Sequence, residues 1–189
     1  MVDRDREKSE LEKKVEEGLY GEPELKKDEK RRYLGEFEER VIKYLTYDQV
    51  KEDVIYPQIL EAIKNSKAKK LIIDREVDIE EANEYIDLAR ENDLSFKRVH
   101  SPEFRGDVAL VVVSDKAISV KKRKVNNRKE RLKKLGISDN IIRNVGSKLC
   151  PDCWNELKEK APEELVNYEK MSWLDKILGE DCKSCQKNN

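Results

Sequence analysis

The chain has 189 residues, of which 43% are charged and 37% are hydrophobic. This length suits one full-sized domain with a small appendage and leaves too little chain for two full cores. No apolar stretch approaches the ~20 residues that span a membrane, and the first residues lack a hydrophobic signal-peptide segment, so we expect a cytoplasmic protein without membrane contact.

The formal net charge of −1 conceals an uneven distribution of charge. Residues 121–134 contain nine Lys or Arg and a single Glu. The rest of the chain therefore carries a net charge of about −9. A basic segment in an otherwise acidic chain suggests either that the segment binds an anionic partner or that it packs against the acidic part of the same chain.

The first part of the chain is predicted to be an N-terminal helix and connector, residues 1–36. Its helix is expected at residues 5–19, where Leu11, Val15 and Leu19 form a thin apolar stripe among charged residues. Pro23 and the weak periodicity around it predict a connector rather than a continued helix.

Residues 37–120 are predicted to form an α/β domain. Strands are expected at 40–46 and 69–74, because these stretches are rich in β-branched or continuous apolar residues, and a helix is expected at 57–65 between them. A second helix is predicted after Asp78, with Ile79, Ala82, Ile86 and Ala89 on one face.

Two further strands complete this domain in the prediction, at residues 95–100 and 108–114, and a short last strand is expected at 117–120. The order strand, helix, strand, helix, strand, strand predicts an α/β (α+β) fold with a mixed β-sheet. Residues 121–149 are predicted to be a basic helical connector, whose charged helix at 126–135 projects from the domain. Residues 150–189 are predicted to be a small helical tail.

Three strings of residues in the first half are distinctive: GLYGEP at 18–23, RRYLGEFEERV at 31–41, and YP at 56–57. Through them the segment from about residue 15 to 120 resembles the YueI-like family of uncharacterised bacterial proteins. The resemblance implies a fold like that of the chorismate-mutase-like and kink-turn ribosomal-protein group. It implies no reaction, because the family has no assigned function.

A second similarity concerns residues 68–74, the helix that follows, and residues 101–106. These stretches look like the corresponding part of kink-turn RNA-binding ribosomal proteins, which bind RNA near the equivalent loops. The similarity suggests RNA or the ribosome as a partner. Here the loop at 75–78 carries Glu76 and Asp78, and acidic side chains do not attract an RNA phosphate backbone.

The tail contains two Cys-x-x-Cys pairs separated by 28 residues. Two such pairs can supply the four thiolates of a tetrahedral zinc site, so we expect one structural Zn²⁺ per chain. A redox-active dithiol pair, unligated thiols and an iron–sulfur cluster are the alternatives. A closed four-sulfur site leaves no open coordination position and argues against catalysis by the metal. The predicted ligands are Cys150, Cys153, Cys182 and Cys185.

The basic segment can neutralise several phosphates and lies between the predicted sheet and the tail. A solvated helix face, or a strap that docks on the acidic body, is the equally weighted alternative, because no aromatic residue interleaves the run to stack on bases. The candidate nucleic-acid-binding residues are Lys121, Lys122, Arg123, Lys124, Arg128, Lys129, Arg131, Lys133 and Lys134.

A second candidate site is a ligand or anion pocket formed by Arg31, Arg32, Tyr33 and Arg40. An ion-paired structural motif is the alternative for this cluster. The sequence has neither a glycine-rich phosphate loop nor a Ser/His/Asp constellation, and His100 is its only histidine. These observations favour a binding protein over an enzyme.

Three functions follow from these features. The leading hypothesis is a non-enzymatic protein that binds RNA or a ribonucleoprotein and contains a structural zinc site. The second is a protein-interaction adaptor, in which exposed Trp154 and Trp173 of the tail dock a partner. The third is a small-molecule-binding or enzymatic α/β domain with its pocket near Arg32, Tyr33 and Arg40.

Overall fold

The computed structural model describes residues 26–185. The predicted helix at 5–19 lies outside the described residues. Within the described range, a mixed four-stranded sheet and its helices come first, and a small, mainly helical module follows.

The elements of the first part follow the predicted order of strand, helix, strand, helix, strand, strand. Asp78 caps the longest helix of the described residues by accepting a hydrogen bond from the Glu80 N–H at 3.1 Å, as its position before an apolar periodic run predicts. The elements are α1 (Lys27–Arg32), β1 (Val41–Thr46), α2 (Tyr47–Val50), α3 (Pro57–Ile63), β2 (Ala68–Asp74), α4 (Ile79–Glu91), β3 (Ser95–Val99) and β4 (Val108–Ser114).

The sheet has the strand order β1-β4-β2-β3. Strands β2 and β3 are parallel and are joined through α4, whereas β4 is antiparallel to both β1 and β2. The predicted mixed sheet is therefore confirmed. The carboxyl ends of β1, β2 and β3 and the amino end of β4 consequently lie at the same end of the sheet.

Alternating residues of the central strands fill a separate core on each face of the sheet. Leu71 and Ile73 of β2 pack with α3 and α4, while Ile72 packs on the opposite face. Tyr33 and Leu34, which follow α1, cover that opposite face. Strand β4 and the second half of β2 are buried on both faces, which explains their continuous apolar sequences.

Helix α4 corrects one detail of its predicted apolar face. Ala82, Ile86 and Ala89 are buried as expected. Ile79 is 50% exposed, however, and Tyr85, which the predicted face did not include, is buried. The Tyr85 hydroxyl group donates to the Val54 carbonyl at 3.2 Å. A tyrosine can therefore occupy this core position, because its polar end is satisfied.

The predicted strand at 117–120 is wrong. The segment makes a backbone hydrogen bond from Ile118 N–H to the Glu39 carbonyl, and it is not part of the sheet. The Arg123 side chain binds the carbonyl groups of Glu38, Ile118 and Val120. These side-chain contacts curl the segment around the guanidinium group, so that its carbonyls are not presented to a neighbouring strand.

The remaining elements form what we call the C-terminal module, residues 128–185. Its largest apolar cluster contains Leu132, Ile141, Leu149 and Leu157, so residues on both sides of the predicted limit at 149/150 share one core. Its elements are α5 (Arg128–Lys134), α6 (Asp139–Arg143), β5 (Lys148–Leu149), α7 (Pro151–Lys160), β6 (Glu169–Lys170) and α8 (Trp173–Ile177).

The prediction that the helix at 126–135 projects from the protein is wrong, because this helix packs into the core of the C-terminal module. Arg128 and Leu132 of α5 are buried, because they face the cluster of the C-terminal module. The module in turn contacts the sheet domain through Asn167, whose side chain pairs with both backbone groups of Ile55 at 2.8 and 2.9 Å. Within residues 26–185, no helix is both long and apolar enough to cross a membrane.

Candidate metal centre and basic surface

The first cysteine pair lies where β5 meets α7. Cys150 is the residue before the helix, Pro151 occupies the first turn, and Cys153 follows within that turn. Proline is favoured at this position because its missing N–H would have no partner in the helix. The start of the helix thus turns both thiol groups of the pair toward one point.

The second pair, Cys182 and Cys185, lies in a turn in which the Cys185 N–H donates to the Cys182 carbonyl at 3.2 Å. The Sγ atom of Cys185 is 3.3 Å from that of Cys150 and 3.8 Å from that of Cys153. All four Sγ atoms lie within 4.8 Å of one another. The fold therefore brings together all four predicted ligands.

These distances match a tetrahedral metal site. Four sulfur atoms about 2.3 Å from a zinc ion are about 3.8 Å apart, within the range seen here. The Cys150 N–H also donates to the Cys182 Sγ at 3.3 Å. All four cysteines are free of disulfide bonds. The cluster can hold a metal ion without a further ligand.

The pKa values of three of the thiol groups are shifted by burial and by the neighbouring cysteines. Burial and a hydrogen bond with Cys150 raise the pKa of Cys153, and the hydrogen bond with Cys150 raises the pKa of Cys185 to about 11. Burial also acts to raise the pKa of Cys150, but hydrogen bonds from the Cys153 N–H and the neighbouring thiols lower it to about 7. Negative charges so close together repel each other, and a bound cation would relieve this repulsion.

The predicted nucleic-acid-binding residues fall into two groups. Six lysines of the basic segment are exposed, and two of these form ion pairs at the surface: Lys124 with Asp107 at 3.2 Å and Lys133 with Asp139 at 3.3 Å. Ion pairs this exposed are weak and can be exchanged for a phosphate. The exposed group is Lys121, Lys122, Lys124, Lys129, Lys133 and Lys134.

The three arginines of the segment serve the fold instead. Arg123 binds backbone carbonyls near the sheet, as described above, and Arg131 forms ion pairs with Glu163 and Glu164. Arg128 requires a correction, because its side chain is only 2% exposed. A phosphate cannot reach a guanidinium group that is enclosed by the protein.

Arg128 lies at the centre of a buried polar network. Its Nε donates to Glu164 Oε2 at 2.7 Å, one terminal nitrogen donates to the Ile142 carbonyl at 3.2 Å, and the other donates to the Tyr168 hydroxyl at 2.9 Å. Burial would lower the pKa of Arg128, but Glu164 and Tyr168 raise it. The guanidinium group therefore stays charged inside the C-terminal module.

The second predicted site is only partly assembled. Arg31 and Arg32 line a cavity of about 160 Å³, but Tyr33 is buried against the sheet, with its ring 5.7 Å from that of Tyr44. The Arg40 guanidinium group lies over the Phe37 ring at 5.4 Å, away from the cavity. The cluster thus divides into two cavity residues and two structural ones.

Sequence reasoning missed other residues of this cavity. Tyr47, Asp74 and Arg105 also line it. Asp74 had a usable signal, because it ends a continuous apolar strand with a charged residue at the edge of the sheet. Glu164, the partner of Arg128, had no such signal among the many acidic residues of the chain.

The fold and the cysteine cluster define a mixed α+β protein with an added four-cysteine module. The family model described as "Protein of unknown function (DUF1694)" matches residues 8–124. The chain therefore belongs to this family. The cysteine cluster lies beyond the matched residues.

Two relatives support the assignment. The uncharacterized protein YueI of Bacillus subtilis (strain 168) is 31% identical over 105 residues, which are 56% of this chain and 80% of YueI. The crystal structure of the YueI protein from Bacillus subtilis matches with a TM-score of 0.53 and 29% identity, over 60% of this chain and 89% of that chain. The resemblance to the YueI-like family is confirmed.

Proposed function

We propose that this protein is a non-enzymatic binding protein whose C-terminal module is stabilised by one structural Zn²⁺. The observation that carries the proposal is the group of four thiol sulfurs within 4.8 Å of one another. Four sulfur ligands close the coordination sphere of zinc and leave no position for a substrate or a reactive water. The role that suits such a site is structural.

The packing around the cysteines supports this role. Cys153 belongs to the apolar cluster of the module, and Cys150, Cys182 and Cys185 pack against it. A core of this size stabilises a small module only weakly, and a bound metal adds its binding free energy to folding. We therefore expect about one zinc ion per chain in the purified protein.

We further propose RNA or a ribonucleoprotein as the partner. The six exposed lysines of the basic segment support this proposal, because they lie within 14 residues of an otherwise acidic chain. Each phosphate neutralised by a lysine releases bound counterions, so such binding must weaken as salt is added. The buried and paired arginines lower the number of available cations but leave this surface in place.

The test is co-sedimentation of the full chain with ribosomes and bulk RNA across a salt series. We expect Lys121→Ala, Lys129→Ala and Lys134→Ala together to weaken binding and to lower the salt slope by as much as about 3, since each phosphate-contacting lysine contributes about 1. These lysines are exposed, so the variant should fold normally.

The matched control changes the same number of charges elsewhere. Lys64, Lys67 and Lys69 are exposed on the sheet domain and can be replaced by alanine together. RNA binding that both triple variants weaken equally would show a general charge effect and would contradict the proposed surface. Failure of the unmodified chain to co-sediment at low salt would remove RNA as the partner.

A second candidate function, the protein-interaction adaptor, is favoured by an exposed apolar surface on α8. Trp173 is 69% exposed and Leu178, directly after the helix, is 76% exposed; Leu174 and Ile177 are also exposed. Exposed apolar clusters of this kind often mark protein contacts. Trp154 does not belong to this surface, because it is partly buried and packs against the cluster of the module.

The adaptor proposal predicts that substitutions on α8 abolish the binding of one stoichiometric partner protein. In pull-downs from nuclease-treated lysate, Trp173→Ser with Leu178→Ser should lose a protein that the unmodified chain retains. Leu135→Ser removes an exposed leucine that lies outside α8, directly after α5, and is the control. Retention of the same protein by the double variant would contradict the adaptor function.

A further inference from the structure

The cavity lined by Arg31 and Arg32 lies at the end of the sheet where the parallel strands β2 and β3 finish. Its walls come from the end of α1, the start of α2, the end of β2 and the loop at 101–106. Ligands of open α/β sheets characteristically bind beyond the carboxyl ends of the strands. The cavity thus occupies the end of the sheet at which the fold class places binding sites.

A buried carboxylate lies on the wall of this cavity. Asp74 is 2% exposed, and its Oδ1 accepts a hydrogen bond from the Glu76 N–H at 3.0 Å. His100 Nδ1 lies 4.0 Å from the same oxygen. Burial and the neighbouring Asp74 raise the pKa of Tyr47, so its phenol stays protonated. A carboxylate has about four acceptor positions. Asp74 therefore retains capacity for donors supplied by a ligand.

Cationic side chains line the same cavity. Arg32 and Arg105 are exposed, whereas Arg31 is held at the rim by Glu103, with Nε and Oε2 3.3 Å apart. The Arg105 backbone N–H donates to the Arg31 carbonyl at 2.9 Å, which joins the loop to α1. Gly106 has a φ of +100°, a conformation that strains any other residue. The loop is thus shaped to return beside α1.

The cavity combines positively charged arginines with a buried carboxylate, so it suits a ligand that carries both an anionic group and hydrogen-bond donors. Guanidinium groups bind phosphate in a bidentate manner, and a buried carboxylate accepts hydrogen bonds from hydroxyl groups. A nucleic-acid backbone is disfavoured, because its successive phosphates would be repelled by the nearby acidic residues Asp74 and Glu76. The volume of about 160 Å³ is also below the roughly 300–1,000 Å³ typical of drug-sized ligands. The ligand must be small and must carry both an anion and hydroxyl groups.

We infer that this cavity binds a small phosphorylated sugar or polyol, with its phosphate on Arg32 and Arg105 and its hydroxyl groups on Asp74. The site lies in the sheet domain and is independent of the zinc and RNA proposals. It extends the predicted arginine pocket by the carboxylate and the loop arginine, and it excludes Tyr33 and Arg40.

The probes are ribose 5-phosphate, glycerol 3-phosphate, ribose and inorganic phosphate, each titrated into the full-length protein by calorimetry. Ribose 5-phosphate or glycerol 3-phosphate should bind at least tenfold more tightly than ribose or inorganic phosphate, since only these probes engage both ends of the cavity. Arg32→Gln and Arg105→Gln should each weaken that binding about tenfold, the effect of one charge-assisted hydrogen bond. Both arginines are exposed, so these variants should fold.

Arg75→Gln is the matched control, because Arg75 is an exposed arginine beside Asp74 that does not line the cavity. It should bind the sugar phosphate as the unmodified protein does. The inference is overturned if neither phosphorylated probe binds at about 10 mM, well above the micromolar-to-millimolar range of ordinary metabolite sites. It is also overturned if inorganic phosphate binds equally well, or if Arg75→Gln loses as much affinity as Arg105→Gln.

Discussion

Replacement of Arg128 by alanine is expected to lower the free energy of unfolding of the C-terminal module by about 3 kcal/mol. The substitution removes the guanidinium group that compensates the fully buried Glu164 carboxylate, and it leaves the Tyr168 hydroxyl and the Ile142 carbonyl without this donor. Breaking a buried ion pair from one side costs roughly 3–5 kcal/mol. The lower end applies here, because Arg131 still pairs with Glu164.

Urea unfolding of the full chain, followed by tryptophan fluorescence, measures this effect, since Trp154 packs against the cluster of the module. Lys129→Ala is the matched control, because Lys129 is the exposed neighbour of Arg128 on α5. It should change the free energy of unfolding by no more than about 0.5 kcal/mol, as surface substitutions usually do. Equal effects of the two substitutions would refute the structural role of Arg128.

Lysine at position 128 separates charge from geometry. Arg128→Lys keeps a positive charge beside Glu164 but cannot reproduce three donors in a planar arrangement. We expect a stability between those of the unmodified protein and Arg128→Ala. Full stability with lysine would mean that the charge alone is needed, and that the bonds to Tyr168 and Ile142 contribute little.

The second large effect is expected for Cys153→Ser, which should abolish stoichiometric zinc binding and unfold the C-terminal module. Structural zinc sites contribute apparent binding free energies of about 10–16 kcal/mol in small peptides, more than a small apolar cluster supplies. Serine has nearly the same shape as cysteine but is a poor zinc ligand. The loss therefore reports metal ligation more than a change in packing.

Metal content by elemental analysis and protease resistance of residues 128–185 are the two measurements. Lys183→Ala is the control, because Lys183 is exposed and lies between two predicted ligands of the second pair. It should retain both the zinc and the resistance. Absence of metal from the unmodified chain would refute the zinc proposal, and bound iron with visible absorbance would identify an iron–sulfur cluster instead.

The sequence by itself determined the four strands of the sheet and the helices α3 and α4, because each has a strong local signal. The apolar run at 108–114 could only be a buried strand, and Asp78 before a periodic apolar face marked the start of α4 correctly. The same holds for the four cysteines, since the spacing within each Cys-x-x-Cys pair limits how its thiols can lie. The family was also recognisable from the string at 31–41.

Only the tertiary structure decided which of the charged residues are buried and which are exposed. Nothing local distinguishes Arg128 from Lys129, yet one is buried with Glu164 and the other is exposed, because the contact joins residues 36 positions apart. The cavity at the end of the sheet likewise combines Arg32, Asp74 and Arg105 from three distant segments. The burial and pairing of distant residues depend on how the elements pack together. Periodicity and spacing predict only local structure, such as a helix, a strand or a Cys-x-x-Cys pair.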